Sequence, residues 1–357
     1  MLNTTLLRLT KFRKSAQKSS LLLSSFIIGV ALAVPPTQLM ADEVNVYSAR
    51  KTQLIKPLLD EFSKETGITV NLITSDADAL LKKLESEGRR SPADILITTD
   101  AGRLHRAKEV DVLQQAISDS AKQKVPAHLQ DTDGYWIALT TRARVIVYDK
   151  EKVQPSELST YEDLTDPKWK GRICIRSSEN IYNQSLVASM IANKGEVETE
   201  AWAKDFVKNF ARKPNGGDRD QVKAVAAGQC DIAIVNTYYL GQMLTGSDEA
   251  QQAMAKKVAV FWPNQDDRGT HINVSGIAIT KSAKNIDNAN KLIEFLLSHN
   301  AQEWYANSNN EYPVVADVEA SPTLKSWGEF HSDSLNLSKL GEFNAAAVRL
   351  MDRAGWR

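Results

Sequence analysis

The sequence contains few of the residues and motifs from which enzyme active sites and zinc sites are built. It has two cysteines and five histidines among 357 residues, and the histidines lack the i, i+3 or i, i+4 spacing of a zinc site. We therefore expect surface positions for His105, His128, His271, His299 and His331. Gly-x-Ser-x-Gly, His-Glu-x-x-His, Gly-x-x-x-x-Gly-Lys and Cys-x-x-Cys motifs are also missing from the sequence. These absences argue against the common hydrolases, metalloproteases and thiol redox enzymes, and we predict that the protein is not an enzyme.

Long apolar segments are missing as well, except near the N-terminus. Five basic residues between positions 8 and 18 precede an apolar segment at 21–34, and Leu39-Met40-Ala41 follows as a cleavage site. The apolar segment is shorter than the roughly 20 residues that a membrane-spanning helix needs. The pattern predicts a signal peptide over residues 1–41, cleaved near Ala41, and a periplasmic location. An uncleaved anchor is the alternative.

The chain carries no large excess of charge of either sign. Loss of the five basic leader residues leaves 39 basic and 44 acidic residues, a net charge of −5. A mildly acidic surface argues against nucleic acid or an anionic membrane as a partner. About 316 mature residues with an ordinary apolar fraction are enough for two globular domains.

The two cysteines, Cys174 and Cys230, both lie in strand-like segments of one region. A disulfide between them is reasonable in an oxidising compartment, although the sequence does not give their separation. Two buried free thiols are the alternative.

Strand patterns alternate with amphipathic helix patterns along the mature chain. Strands are predicted at 44–48, 68–74, 93–99, 144–149, 172–176, 230–236 and 274–280. Helices are predicted at 77–87, 200–212, 218–227, 285–297 and 340–351. Further helices are predicted to start at Ser177-Ser178, around Tyr238-Tyr239, and after a turn at Asp100-Ala-Gly. This alternation predicts α/β units with mainly parallel sheets flanked by helices.

Three tyrosines follow predicted strands at the end where ligands of open α/β sheets tend to bind. Tyr182 follows one strand, and the pair Tyr238-Tyr239 follows the next. Deprotonated phenols are hard, anionic ligands, so three of them would balance the charge of one ferric ion. The tyrosines are therefore the candidate metal ligands.

Five segments carry a resemblance to a known family, the ferric-ion-binding proteins of ABC iron importers. They are Val46-Tyr-Ser-Ala-Arg-Lys, Ala93-Asp-Ile-Leu-Ile-Thr-Thr-Asp-Ala-Gly, Arg142-Ala-Arg-Val, Arg176-Ser-Ser-Glu-Asn-Ile-Tyr-Asn-Gln-Ser and Asn236-Thr-Tyr-Tyr. The resemblance covers nearly all of the mature chain. It implies Fe³⁺ as cargo, Tyr182, Tyr238 and Tyr239 as ligands, and an inner-membrane ABC permease as partner.

The sequence also departs from this family in the first part of the chain. Many members have a His or a His-Tyr pair where this chain has Lys51 and Thr52, and some have a Glu where it has Thr99. The chain thus resembles the tyrosine-rich subgroup, in which an anion such as carbonate completes the coordination. Arg142 is the first candidate for the anion's partner, because a guanidinium binds a planar oxyanion with two hydrogen bonds. Arg144, Ser178 and Lys51 are further candidates for the anion or for outer contacts.

The predicted fold is the type II periplasmic solute-binding fold, with two lobes and the ligand in the cleft between them. Lobe 1 is expected to comprise 42–140 and 270–313, and lobe 2 to comprise 141–269 and 314–357. The protein is expected to be a monomer that captures ferric iron and delivers it to the permease. The alternative is a binding protein of the same fold for ferrous iron, a polyamine, thiamine or an oxyanion.

Overall fold

The computed structural model of the protein describes residues 42–357. The predicted signal peptide and its cleavage site near Ala41 lie outside the described residues. The strands are β1 (Glu43–Ser48), β2 (Thr69–Thr74), β3 (Ile95–Thr99), β4 (Leu113–Gln114), β5 (Trp136–Asp149), β6 (Ile173–Cys174), β7 (Ile232–Asn236), β8 (Val258–Phe261), β9 (Ile272–Thr280) and β10 (Tyr312–Pro313).

Helices fill the connections between these strands. Those of the first half are α1 (Lys56–Thr66), α2 (Ala77–Glu87), α3 (Ala101–Glu109), α4 (Asp119–Gln123), α5 (Ile181–Lys194), α6 (Glu196–Val207) and α7 (Asp218–Ala226). Those of the second half are α8 (Thr237–Thr245), α9 (Glu249–Ala255), α10 (Ile286–Leu296), α11 (His299–Asn309), α12 (Pro322–Lys325), α13 (Ser338–Glu342) and α14 (Asn344–Ala354). Among the described residues, no helix is long and apolar enough to cross a membrane.

The strands form a mixed sheet in the order β2-β1-β3-β9-β5-β7-β6. The pairs β1–β2, β1–β3 and β6–β7 are parallel, as the βα alternation predicts. The pairs β3–β9, β5–β9, β5–β7 and β5–β8 are antiparallel. The predicted α/β class is confirmed, but the sheet is mixed rather than mainly parallel because β5 and β9 run against their neighbours.

Strand β5 belongs to both halves of the sheet. Its first part, through Ala143, pairs with β9, and its second part, from Arg144, pairs with β7 and β8. All of its residues except Asp149 are buried, and this includes four polar residues near its middle, Thr140, Thr141, Arg142 and Arg144. The boundary between the two halves therefore falls between Ala143 and Arg144.

Several predicted bounds differ from those of the structure. Helix α5 begins at Ile181, and the side chain of Asn180 accepts a hydrogen bond from the Tyr182 N–H, so the predicted start at Ser177-Ser178 is wrong. The predicted helix at 340–351 is two helices, α13 and α14, which are separated at Phe343. Asp100 caps α3 by accepting a hydrogen bond from the Gly102 N–H, as the Asp-Ala-Gly turn predicts.

Candidate functional site

The three candidate tyrosines lie in the first turns of two helices. Tyr182 is the second residue of α5, and Tyr238 and Tyr239 are the second and third residues of α8. Helix α8 starts directly after the fully buried strand β7, which fixes its position against the sheet. Because a helix N-terminus carries partial positive charge, both helices favour negative charge on these phenol oxygens.

The tyrosine side chains converge on one cavity. The Tyr238 hydroxyl donates a hydrogen bond to the Tyr182 hydroxyl over 3.2 Å, and the rings of Tyr238 and Tyr239 lie 4.2 Å apart between centroids. All three tyrosines line a cavity of about 170 Å³. Its other lining residues are Ala49, Arg50, Lys51, Leu54, Thr99, Arg142, Arg219, Gln242 and Glu311. We call this space the tyrosine cavity.

Each tyrosine ring faces one guanidinium group. The Cζ atom lies 5.5 Å from the Tyr238 ring for Arg142, 5.5 Å from the Tyr182 ring for Arg176, and 5.0 Å from the Tyr239 ring for Arg219. A cation at this distance from an aromatic face is attracted to it, and the attraction grows when the ring carries negative charge. The cavity thus provides positive charge beside each phenol.

Two buried carboxylates, Glu311 and Asp218, bind four arginines, and two of these arginines face the candidate tyrosines. Glu311 accepts hydrogen bonds from Arg50 over 2.5 Å and from Arg142 over 2.8 Å. Asp218 accepts from Arg176 over 3.0 Å and lies 3.3 Å from Arg144.

Each carboxylate thus binds two guanidinium groups. One arginine of each pair faces the ring of a candidate ligand, Arg142 that of Tyr238 and Arg176 that of Tyr182. Each pair with its carboxylate keeps one net positive charge.

The surroundings of Tyr238 and Tyr239 raise the pKa values of their phenol groups. Burial raises the pKa of Tyr238 well above its ordinary value, and the neighbouring Tyr182 and Tyr239 raise it further, although Arg142 opposes them. Burial and Tyr182 also raise the pKa of Tyr239. Both phenols therefore stay protonated at neutral pH when the cavity holds no cation.

The structure brings Arg142 and Lys51 to the tyrosine cavity, but not Arg144 or Ser178. The guanidinium of Arg144 binds Asp218, Asn236 and Asn183. Its contacts give it a role in holding α5 and β7 together.

Ser178 lines a different cavity, next to Lys213 and Arg357. Because α5 starts only at Ile181, Ser178 does not provide a helix N-terminus to the tyrosines.

Cys174 and Cys230 form a disulfide with their Cα atoms 5.8 Å apart. Cys174 ends β6, which precedes Tyr182, and Cys230 lies just before β7, which precedes the tyrosine pair. The disulfide therefore joins the two strand–helix units that carry the candidate ligands.

The sequence analysis missed three residues that shape this cavity: Glu311, Arg219 and Gln242. Arg219 lies in the charged sequence Asp-Arg-Asp at the start of α7, which is typical of an exposed helix end. Glu311 lies between two segments of the sequence that have no strong helix or strand pattern. Only the contact with Arg142, 169 positions earlier in the chain, reveals its place.

Metal-binding side chains of the usual kinds do not cluster elsewhere in the described chain. Within residues 42–357, no group of three or more His, Cys, Asp or Glu side chains could hold a metal ion.

The fold and the cavity define the class of the protein. A strand shared by two halves of a sheet, with a polar cavity where helices follow strands, is typical of a solute-binding protein. The chain belongs to the family of bacterial extracellular solute-binding proteins, whose model matches residues 90–332.

Curated relatives cover almost the whole chain. It is 51% identical over 315 residues to "Iron uptake protein A1" of Synechocystis, which covers 88% of both proteins. It is 27% identical over 326 residues to the "Major ferric iron-binding protein" of Neisseria meningitidis, covering 90% of this chain and 95% of the relative.

Solved structures of proteins described as binding iron are also similar to this chain. The Trichodesmium protein FutA, described as in complex with iron and citrate ligands, has a TM-score of 0.86 and 51% identity over 88% of this chain and all of the other. The ferric binding protein from Campylobacter jejuni has a TM-score of 0.83 and 42% identity over 88% of this chain and all of the other. The predicted two-lobed solute-binding fold is thereby confirmed.

Proposed function

We propose that this protein captures ferric iron in the periplasm through Tyr182, Tyr238 and Tyr239 and delivers it, as a monomer, to an ABC permease. The observation that carries the proposal is the convergence of the three phenols on one small cavity, with two hydroxyls 3.2 Å apart. Two hydroxyl oxygens this close can bind one cation together. The relatives named for iron uptake and ferric iron binding support the same cargo.

Charge explains why a trivalent metal suits this cavity. Three phenolates balance one ferric ion, and phenolate oxygen is a hard donor that matches a hard cation. Because the pKa values of Tyr238 and Tyr239 are raised, iron must displace their protons when it binds. We therefore expect proton release on binding and weaker binding in acid.

An anion would bind iron together with the tyrosines, and Arg142 is its best-placed partner. The Nε and Nη1 atoms of Arg142 and of Arg50 are buried and have no hydrogen-bond partner among residues 42–357. Both arginines line the tyrosine cavity, and Lys51 adds a third cation there. Buried donors of this kind gain from an acceptor, which a carbonate oxygen would supply.

A larger chelating anion is the alternative to carbonate. A second cavity of about 600 Å³ shares Lys51, Arg219, Tyr239 and Gln242 with the tyrosine cavity. This space would hold a polycarboxylate such as the citrate of the Trichodesmium FutA complex. Carbonate needs only the smaller cavity, so the two anions predict different effects of Lys223, which lines the second cavity but not the tyrosine cavity.

A visible absorption titration tests the proposal. The mature protein is titrated with ferric citrate, with and without bicarbonate, and with ferrous salt under anaerobic conditions. We expect a ferric phenolate charge-transfer band that saturates at about one iron per chain and is weakened or shifted in Tyr182→Phe and Tyr238→Phe. Tyr148→Phe is the matched control, because Tyr148 is a buried tyrosine of β5 that does not line the tyrosine cavity.

Four outcomes separate the candidates. A band that persists unchanged in both tyrosine variants would refute these ligands, and the absence of any band would refute ferric binding. Binding of ferrous iron alone would replace ferric with ferrous cargo. A Lys223→Gln variant that loses affinity with citrate, but not with bicarbonate, would favour the larger anion.

A further inference from the structure

Asp100 is a buried carboxylate that does not line the tyrosine cavity. It follows β3 with a φ of 83°, a conformation that residues other than glycine rarely adopt. The residue is fully buried, and burial raises the pKa of its carboxyl group. Backbone strain and a buried carboxylate both cost free energy, and such costs are often retained where a site must be held in one geometry.

The hydrogen bonds of Asp100 join three separate segments. One carboxylate oxygen accepts from the Ser185 hydroxyl of α5 over 2.7 Å and from the Gly102 N–H of α3 over 2.8 Å. The other accepts from the Asn273 side chain of β9 over 2.8 Å. The backbone N–H of Asp100 donates to Val274 of β9 over 2.7 Å. A single side chain therefore connects α3, α5 and β9.

The starts of α3 and α5 approach each other at this point. A Cβ atom on Gly102 would lie 3.1 Å from the Asp100 carboxylate and 3.5 Å from the Ile181 side chain. Ile181 is the first residue of α5 and precedes Tyr182. The glycine thus permits a close contact beside the turn that carries a candidate iron ligand.

The contact between Asp100 and Asn273 connects Asp100 with the strand pair that carries Arg142. Asn273 pairs with Arg142 in the β5–β9 register. Arg142 in turn faces the ring of Tyr238. Asp100 therefore bonds to Ser185, which lies three positions after Tyr182 on α5, and to Asn273, which is the register partner of Arg142.

We propose that Asp100 is a positioning residue for the iron site, which holds the first turn of α5 and its Tyr182 at a fixed place relative to β9 and Arg142. It acts through Ser185 and Asn273 and touches no cargo. This inference rests on the proposed function, because it assigns Tyr182 a role in iron binding.

The first test compares two serines of α5. Ser185→Ala removes the bond to Asp100, whereas Ser189→Ala removes a buried hydroxyl that, among residues 42–357, bonds only to the Leu186 carbonyl of the same helix. Ferric affinity is measured by competition with citrate, and thermal unfolding is measured without iron. We expect Ser185→Ala to weaken ferric affinity by about tenfold and to shift the phenolate band, since a hydrogen bond to a charged group is lost. Ser189→Ala should change neither property.

The second test exchanges the hydrogen-bond donor of Asn273 and the acceptor of Asp100. Asp100→Asn places an amide N–H₂ opposite that of Asn273 and should weaken ferric affinity. The double variant Asp100→Asn/Asn273→Asp restores one donor and one acceptor and should recover the wild-type band.

The outcomes distinguish this inference from the proposed function. If wild type and Ser189→Ala bind iron with the band and Ser185→Ala does the same, the positioning role is refuted and the iron site stands. If Ser185→Ala and Ser189→Ala lower thermal stability and affinity equally, the role of Ser185 is structural and the inference is also refuted. If wild type shows no band, the proposed function itself fails.

Discussion

Glu311 offers the sharpest prediction, because it is the carboxylate between two buried arginines. It is 4% exposed and accepts hydrogen bonds from Arg50, Arg142 and Ser275. In Glu311→Gln the shape is retained, but the negative charge is lost and two guanidinium groups remain without a counter-ion. Breaking a buried ion pair from one side costs about 3–5 kcal/mol, and we expect the free energy of unfolding at pH 7 to fall by this amount.

The predicted loss depends on pH in a defined direction. Burial alone would raise the pKa of Glu311, but Arg50 and Arg142 together hold it below its ordinary value. A carboxyl group with a lowered pKa stabilises the folded state above its unfolded pKa, and this contribution disappears as the pH falls through the folded pKa. The difference between wild type and Glu311→Gln should therefore be full at pH 7 and shrink below about pH 4.

Urea unfolding of the iron-free protein, followed by tryptophan fluorescence and circular dichroism, measures the effect. Glu303→Gln is the matched control, since Glu303 is an exposed residue of α11. A loss below about 1 kcal/mol in Glu311→Gln, or an equal loss in Glu303→Gln, would refute the reasoning.

Three further predictions concern stability. Asp94→Asn should destabilise the protein at neutral pH, because the Asp94 carboxylate accepts five hydrogen bonds. These bonds lower the pKa of Asp94 against the effect of burial. The variant should have a lower thermal midpoint than wild type at neutral pH, and the two midpoints should converge in strong acid. Reduction of the Cys174–Cys230 disulfide, which encloses 56 positions, should cost about 4 kcal/mol, measured by urea unfolding with and without reductant. Burial and the nearby Arg144 and Arg268 lower the pKa of His271 to about 3, so the unfolded state binds this proton first as the pH falls. Wild type should therefore lose stability between pH 6.5 and pH 3, and His271→Gln should lose less in an acid titration.

The sequence predicted the elements around the tyrosines well, because their signals are local. The apolar segment before Tyr238 predicts β7, and its end predicts α8 within one or two residues. The Asp100 turn is equally local. A short apolar strand followed by a polar helix start needs no information from the rest of the chain.

The parts that were missed depend on contacts between distant residues. Glu311 becomes a site residue only because β10 pairs with β5 and brings it to Arg142. His271 was predicted at the surface, but it is 3% exposed, because it directly precedes the buried strand β9. Ser178 was placed at a helix start by its hydroxyl, although Asn180 caps the helix. Residue type alone does not distinguish these cases.

The shared strand β5 has a mechanical consequence. If one half of the sheet rotates against the other, the pivot lies between Ala143 and Arg144, where the pairing partner changes. Arg142 lies next to this pivot, so a rotation would move its backbone less than that of residues further away. Lys51 follows β1, which lies three places from β5 in the order of the sheet, so it would travel further. Arg142 would then stay almost in place at the tyrosine cavity, while Lys51 would move with the other strands of its half of the sheet.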